Sequence, residues 1–211
     1  MKKALFWIVP TLLIGLSYPG HLCAENAYDY IAKGNQLANT KKFTEALEQY
    51  QKALKIDPKN PRATLLIGLC YAQTGDLDTA LTFVERASTN NPSYTSFYNL
   101  GLIRSVRGEF NEAVKAFDRA IELEPKSFEA SYQKGLAYGQ LKKYDQAILS
   151  YQKALELNPS FDNARIALFA AYLIQENLQA AQAQIDEFRQ MKKTGIVQAL
   201  EARMKKKAPI S

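Results

Sequence analysis

Apolar residues along most of this chain recur at the spacing of an α-helix and are interrupted at regular intervals by turn-forming residues. One segment shows the pattern on both sides of Gly75, with apolar residues at Leu65, Leu66, Leu69 and Ala72 before it and at Leu77, Ala80, Leu81 and Val84 after it. This spacing predicts two antiparallel helices joined by a turn. A single hairpin of this kind cannot bury its apolar face alone, so the pattern predicts a stack of hairpins.

The hairpin pattern repeats every 33 to 34 residues. Pro58, Pro92, Pro125 and Pro159 are separated by 34, 33 and 34 residues. Four more columns keep this register, namely Gly34, Gly68, Gly101 and Gly135; Ala46, Ala80, Ala113 and Ala147; Tyr50, Val84, Phe117 and Tyr151; and Ala53, Ala87, Ala120 and Ala154. A fixed period of this length is typical of helical repeat proteins.

In these columns the sequence resembles the tetratricopeptide repeat (TPR) family, whose pattern has glycine, alanine, a bulky residue, alanine and proline in this order. The resemblance implies an all-α, right-handed superhelical solenoid of about five helix-turn-helix hairpins plus a C-terminal capping helix. The units are 27–60, 61–93, 94–127, 128–161 and a degenerate fifth at 162–195, in which Phe169 replaces the glycine and Lys193 the proline. Residues 25–195 therefore form the predicted solenoid, and 196–211 the capping helix and basic tail.

The repeat positions occupied by small residues, glycine and alanine, have a physical reason. Glycine on the first helix and alanine on the second let two backbones approach closely, so we expect Gly68 to meet Ala80 and Gly101 to meet Ala113. Turn chemistry also agrees with the hairpins. Gly75 suits a helix end, and we expect three residues to be N-caps of helices: Asn60, Ser93 and Ser127.

Residues 1–24 have the pattern of a secretory signal peptide. Lys2 and Lys3 precede a 13-residue apolar run, and a small residue, Ala24, follows a helix-breaking stretch. The run is too short to span a bilayer. The sequence thus predicts export to the periplasm or the medium after cleavage behind Ala24. The alternative is a membrane-anchored protein, held by an uncleaved segment or by a lipid at Cys23.

Residue types argue against catalysis. Loss of the signal would remove His21, which is the chain's single histidine, and Cys23, leaving Cys70 as the single cysteine. No disulfide, metal set or activated thiol can then be built within the chain. The glycines follow the repeat and do not cluster as a phosphate-binding loop would. We therefore expect no enzyme activity, no cofactor and no bound metal.

The family resemblance implies that the first helix of each hairpin lines a concave peptide-binding groove. The implied groove residues are Tyr28, Asn35, Arg62, Leu65, Leu69, Tyr98, Asn99, Leu102, Tyr132, Gln133 and Leu136. This lining is apolar, bears tyrosines and amides, and suits an extended or helical segment of a partner protein. The other interpretation is that several of these side chains only pack between hairpins.

One subgroup of the family holds C-terminal carboxylates of chaperones with a lysine, asparagine and arginine clamp. The matching positions here are Ile31, Asn35, Leu66, Thr95 and Asn99. Only Asn35 agrees, so the sequence does not predict that clamp.

Charge is concentrated at the C-terminal end. Residues 189–211 have seven basic residues against Glu201, a net charge of +6, which leaves about −2 for residues 25–188. The slightly acidic body makes nucleic acid an unsuitable partner. Two interpretations of the tail stay open: contact with anionic membrane or an acidic partner, or a solvated helix end whose cations suit a helix C-terminus.

The sequence thus predicts a scaffold or adaptor of the bacterial cell envelope that binds a partner peptide or helix. The alternative is a self-assembling structural component of an envelope complex, such as a secretion, pilus or envelope-biogenesis assembly, which would dock through its degenerate fifth unit and amphipathic end.

Overall fold

The computed structural model describes residues 26–207, and these residues form eleven α-helices and no strand. The helices are α1 Ala27–Asn39, α2 Phe43–Ile56, α3 Pro61–Thr74, α4 Leu77–Asn90, α5 Tyr94–Val106, α6 Phe110–Leu123, α7 Phe128–Gln140, α8 Tyr144–Leu157, α9 Asp162–Ile174, α10 Leu178–Gln190 and α11 Thr194–Lys207. The predicted all-α fold is confirmed. The predicted signal peptide and the last residues of the tail lie outside the described residues.

Side-chain caps start the first helices of the hairpins where the sequence predicts them. The Asn60 side chain accepts a hydrogen bond of 2.9 Å from the backbone N–H of Ala63, and Pro61 fills the first helical position, which has no intrahelical N–H partner. Ser127 Oγ caps α7 in the same way, at 3.1 Å from the N–H of Ala130. These bonds satisfy backbone donors that a helix start leaves without a partner.

The turns inside the hairpins require a left-handed residue. Gly75 and Gly108 supply it, with φ angles of 90° and 79°. In other hairpins the same conformation is adopted by side-chain-bearing residues, namely Lys41, Lys142 and Glu176, and Lys192 adopts it before α11. Left-handed backbone costs an L-residue about 1–2 kcal/mol, so these turns are held by the packing of the helices on either side.

Within each of the first four hairpins, the glycine of the first helix receives the bulky residue of the second. A Cβ atom placed on Gly101 would lie 2.5 Å from Cε1 of Phe117, and one on Gly135 would lie 2.5 Å from Cε1 of Tyr151. Gly34 receives the ring of Tyr50 in the same manner. The closest contact of Gly101 is therefore with the Phe117 ring, one helical turn beyond the expected Ala113, and the ring fills the space over the glycine.

The second hairpin is a partial exception. A Cβ atom on Gly68 would lie 2.6 Å from a Val84 methyl and 3.1 Å from the carbonyl oxygen of Ala80. Valine is shorter than a ring, so here the backbone of the alanine column also comes close. The expected approach of Gly68 to Ala80 is confirmed for this hairpin.

Neighbouring hairpins join in one repeated way. The second helix of each hairpin packs on the first helix of the next, and the first helices also contact one another directly, α3 with α5, α5 with α7 and α7 with α9. Among the described residues, the second helices of successive hairpins have fewer contacts with one another than these three pairs of first helices have. A stack whose first helices lie closer together than its second helices must curve towards the first helices, which therefore form its inner wall.

The C-terminal end of the stack is closed by different packing. Phe169 replaces the glycine of the fifth hairpin, and both it and Ile185, at the bulky position, are buried. In the fifth hairpin the larger side chain at these two positions therefore belongs to the first helix, whereas in the first four hairpins it belongs to the second. Val197 and Leu200 of α11 pack on this cluster, so α11 is the predicted capping helix. None of the helices within residues 26–207 has the length and apolarity needed to cross a bilayer.

Two glycines of α7 provide a matched test of the packing between paired helices. Gly135→Ala should lower the free energy of unfolding by roughly 1–3 kcal/mol, because the new methyl would overlap the Tyr151 ring. Gly139→Ala should raise it by roughly 0.5–1 kcal/mol, since its methyl would lie at an ordinary 3.5 Å from the Tyr151 hydroxyl and alanine is the better helix former. Urea unfolding measures both changes, and equal effects of the two variants would contradict the assigned packing.

Candidate peptide-binding groove

Within residues 26–207, four clefts lie along the inner wall of the stack, between the first helices of adjacent hairpins, and we call this surface the groove. Most of the sequence-predicted groove residues line these clefts or lie next to them. The first cleft, of about 350 Å³, brings Asn35 of α1 to Leu69 of α3. The second, of about 430 Å³, places Arg62, Leu65 and Leu69 opposite the start of α5.

The other two clefts continue the wall towards the C-terminus. Tyr98 of α5 lines a cavity of about 850 Å³ together with the loop before α7. Leu136 of α7 faces Ala170 and Ile174 of α9 across a cleft of about 280 Å³. Tyr28 lines none of these four clefts and is 71% exposed near the start of α1.

The predicted amide side chains are already engaged by neighbouring groups. Asn35 Oδ1 accepts a hydrogen bond of 2.9 Å from the hydroxyl of buried Tyr50, and Asn99 Nδ2 donates to the carbonyl oxygen of Thr95 at 2.7 Å. The Gln133 side chain lies near the Tyr98 hydroxyl and partly offsets the rise that burial causes in the pKa of that hydroxyl. These bonds orient the amides at the groove surface, and they leave fewer free donors and acceptors than the sequence alone implies.

The predicted tyrosines and leucines also pack on the second helix of their own hairpin, and their clusters continue to the next hairpin at Ala137 and Leu168. Tyr98 lies 5.9 Å from the Phe117 ring centroid, and Tyr132 lies 5.9 Å from that of Tyr151. Leu102 packs with Phe117 in the same cluster. Burial raises the pKa of the Tyr98 and Tyr132 hydroxyls, so both rings are neutral at physiological pH. Tyr98 thus lines the third cleft as well as packing, whereas Tyr132 and Leu102 line none of the four clefts.

Sequence reasoning missed two kinds of groove residue. Tyr94 stacks on Tyr98 with ring centroids 5.4 Å apart, and Phe128 lines the same cavity. The signal for them was a serine followed by an aromatic residue at Ser93 and again 34 residues later at Ser127. The second kind comprises Val106 and Ile174, which are 71% and 48% exposed.

Helical spacing puts Val106 on the groove side of α5. It follows Gly101 by five residues, which is a rotation of about 140° away from the face that meets α6. Ile174 has the same offset from Phe169 on α9 and lines the fourth cleft. Each is an apolar side chain that the fold leaves open to solvent on the inner wall.

A stack of helical hairpins with an open, apolar inner wall defines a class of protein, the helical-repeat scaffold for protein–protein interaction. Two segments, residues 61–94 and 128–161, each match the family described as tetratricopeptide repeat, and residues 34–75 and 106–142 match the family described as TPR repeat. The chain belongs to the tetratricopeptide repeat family.

Similarity to curated proteins covers about half of the chain. It is 30% identical over 97 residues to small glutamine-rich tetratricopeptide repeat-containing protein 2 of Mycosarcoma maydis, covering 46% of this chain and 28% of that protein. It is 29% identical over 142 residues to photosystem I assembly protein Ycf3 of a Synechococcus strain, covering 58% of this chain and 81% of that protein. The chain thus spans less than a third of the length of the first of these relatives.

Solved structures support the same fold. The structure of YrrB, described as a TPR protein with an unusual peptide-binding site, superposes with a TM-score of 0.70 at 24% identity. The match covers 84% of this chain and 92% of that one. This likeness supports the hairpin stack.

Tyr50 predicts a pH dependence of stability. Its hydroxyl is buried below Asn35, and burial, assisted by the nearby Cys70 thiol, raises its pKa from 10.0 to about 12. The folded protein therefore keeps a proton that the unfolded chain loses near pH 10. Stability from this group is intact below pH 10 and is lost as the pH rises to about 12, at about 1.4 kcal/mol for each pH unit.

Tyr50→Phe keeps the ring over Gly34 and removes the ionising group. We expect the variant to lose less free energy of unfolding than the parent between pH 9 and pH 12, measured by urea titration at each pH. Identical losses in the two proteins would show that the Tyr50 hydroxyl does not resist ionisation in the fold.

Proposed function

We propose that the chain is an adaptor that holds an extended or helical segment of a partner protein in its groove. The observation that carries the proposal is the continuous inner wall, in which apolar and tyrosine side chains of five first helices line clefts open to solvent. Leucine and tyrosine supply contact area, and oriented amides bond to main-chain groups. The two relatives described above as a photosystem assembly protein and a peptide-binding TPR protein support this class of function.

The proposed place of action is the bacterial cell envelope, as a periplasmic or secreted protein. The support for it is the signal-like pattern of residues 1–24. N-terminal sequencing of the protein purified from its native host tests the proposal, which requires a first residue of Glu25. A chain beginning at Met1, or at a modified Cys23, would replace it with the membrane-anchored alternative.

The basic end has a smaller role in this proposal than its sequence implies. Arg189 is paired with Glu201 at 2.6 Å, and Lys193 is paired with Asp162. These two cations stabilise the junction of the fifth hairpin with α11. Contact with anionic lipid or an acidic partner is therefore proposed only for the cations from Arg203 onward.

Binding in the groove is best tested at exposed positions. Alanine at Tyr98 or Tyr132 would also remove packing from Phe117 or Tyr151, so lost binding could reflect damage to the fold. Val106 and Ile174 avoid this difficulty because their side chains are largely exposed. Leu149 is a matched control, since it is 65% exposed and is rotated by about 160° around α8 from Tyr151, which packs on Gly135 of α7.

We expect the double variant Val106→Glu, Ile174→Glu to bind its partner protein at least about tenfold more weakly than the parent does. Carboxylates in an apolar contact must lose their water without gaining a hydrogen-bond donor or a counter-charge. Leu149→Glu should bind as the parent does. The measurement is quantitative crosslinking and capture from envelope fractions with residues 25–211 as bait, with circular dichroism to confirm that all three proteins keep their helices. Equal capture by parent and double variant would place the binding surface elsewhere.

Self-assembly remains the alternative to binding a different protein. Light scattering at several concentrations separates the two, because a self-assembling component grows in mass with concentration and an adaptor of this kind does not.

A further inference from the structure

The third cleft differs from the other clefts of the groove in having both aromatic walls and carboxylates. One wall is the stacked pair Tyr94 and Tyr98, and the opposite wall is the loop between α6 and α7 with the start of α7. The loop side contributes Leu123, Glu124, Pro125, Lys126, Ser127, Phe128 and Glu129. The cavity of about 850 Å³ exceeds the volume of a single side chain, so it has room for a side chain together with its backbone.

Ser127 fixes the position of one carboxylate and one ring. Its hydroxyl lies 2.8 Å from the Tyr94 hydroxyl and 3.2 Å from Glu129 Oε2, and it caps the N–H of Ala130. Ser127 has one proton to donate, and Glu129 can only accept. The consistent arrangement is that Tyr94 donates to Ser127 and Ser127 donates to Glu129, which holds ring and carboxylate at the same edge of the cavity.

Neither carboxylate of this cavity is neutralised by the protein. Among the described residues, Glu124 and Glu129 form no ion pair, and both lie close enough to Tyr94 to add to the rise that burial causes in its pKa. Lys126 also lines the cavity without pairing with either of them. The lining therefore has a net charge of −1 from two carboxylates and one ammonium group.

We propose that this cavity binds an arginine side chain of the partner segment, an inference that rests on the proposed function and specifies its chemistry. The planar guanidinium stacks on Tyr94 or Tyr98 and bonds to Glu129. The aliphatic part of the side chain lies against the apolar wall at Leu123.

Other occupants suit the cavity less well. An apolar side chain would remove water from Glu124 and Glu129 without offering them a donor, which is costly for an ionised group. An acidic side chain would be repelled by both carboxylates. A basic side chain satisfies the carboxylates and the rings together, so the charge and the shape of the cavity favour the same occupant.

The probe for the test is N-acetyl-arginine methylamide, with N-acetyl-citrulline methylamide as its neutral isostere. Amide NMR spectra of residues 25–211 are recorded during titration with each compound. We expect saturable shifts at residues 94–98 and 123–129 with the arginine compound, and binding at least about fivefold weaker with the citrulline compound. Equal binding of the two compounds, or shifts confined to other residues, would overturn the proposal.

Variants of the carboxylates test the assignment within the cavity. Glu129→Gln and Glu124→Gln should each weaken arginine binding by up to about fivefold, the upper end of the range for one exposed ion pair. Glu48→Gln on α2 removes the same charge far from the cavity and should leave binding unchanged, and melting curves confirm that the variants fold. Equal binding by the Glu129→Gln, Glu48→Gln and parent proteins would also overturn the proposal.

Failure of this inference can be told apart from failure of the proposed function. Loss of the partner in the Val106→Glu, Ile174→Glu variant without arginine binding would remove only the arginine assignment. Arginine binding in the cavity, together with unchanged partner capture by the double variant, would support the cavity as an arginine site and would contradict the proposed function, which requires partner binding along the whole groove.

Discussion

The contact on which the rest of the structure depends is the insertion of a large side chain over a glycine within each of the first four hairpins. Because Gly34, Gly101 and Gly135 have no side chain, a ring of the second helix lies directly on the backbone of the first. Paired helices therefore approach closely and repeat the same geometry every 33 to 34 residues. Any side chain at the glycine would separate the helices and change the relation of each hairpin to the next.

The fifth hairpin shows what happens when this contact is absent. Phe169 occupies the glycine position and Ile185 the bulky position, so the volume is retained while the large side chain lies on the other helix. The backbones of α9 and α10 have less contact than those of the first four hairpins. A unit of this shape cannot repeat the stacking geometry of its predecessors, and α11 covers its outer face instead.

Much of the fold followed from the sequence because its determinants are local. The period, the helix caps and the columns of small residues can be recognised from residue types along the chain. Asn60 and Gly75, for example, mark the start and the end of α3. The partner of each glycine was not visible, because which side chain of the facing helix fills the space depends on the crossing of the two helices. The left-handed turns at Lys41 and Lys142 were missed for a related reason, since packing can hold a lysine where glycine would be expected.

For the groove, helical spacing selected the correct helices but could not show how far each side chain was already used. Tyr98 lines the third cleft and also packs on Phe117 of its own hairpin, a double role that depends on how α5 crosses α6. The serine that caps α7 also orients Tyr94 and Glu129, a connection between two hairpins that no single repeat contains.

The inner wall therefore has two sets of residues, an inner layer that packs the hairpins together and an outer layer that is exposed to solvent. The tyrosines and leucines next to the glycines stack the hairpins, so changes there alter stability and binding together. Val106 and Ile174, five residues after the glycine position, and Glu129, at the start of its helix, contribute little to the stacking because they are largely open to solvent. Substitution in this outer layer can change the partner without changing the curve of the stack, and it is there that a helical-repeat scaffold can acquire its specificity.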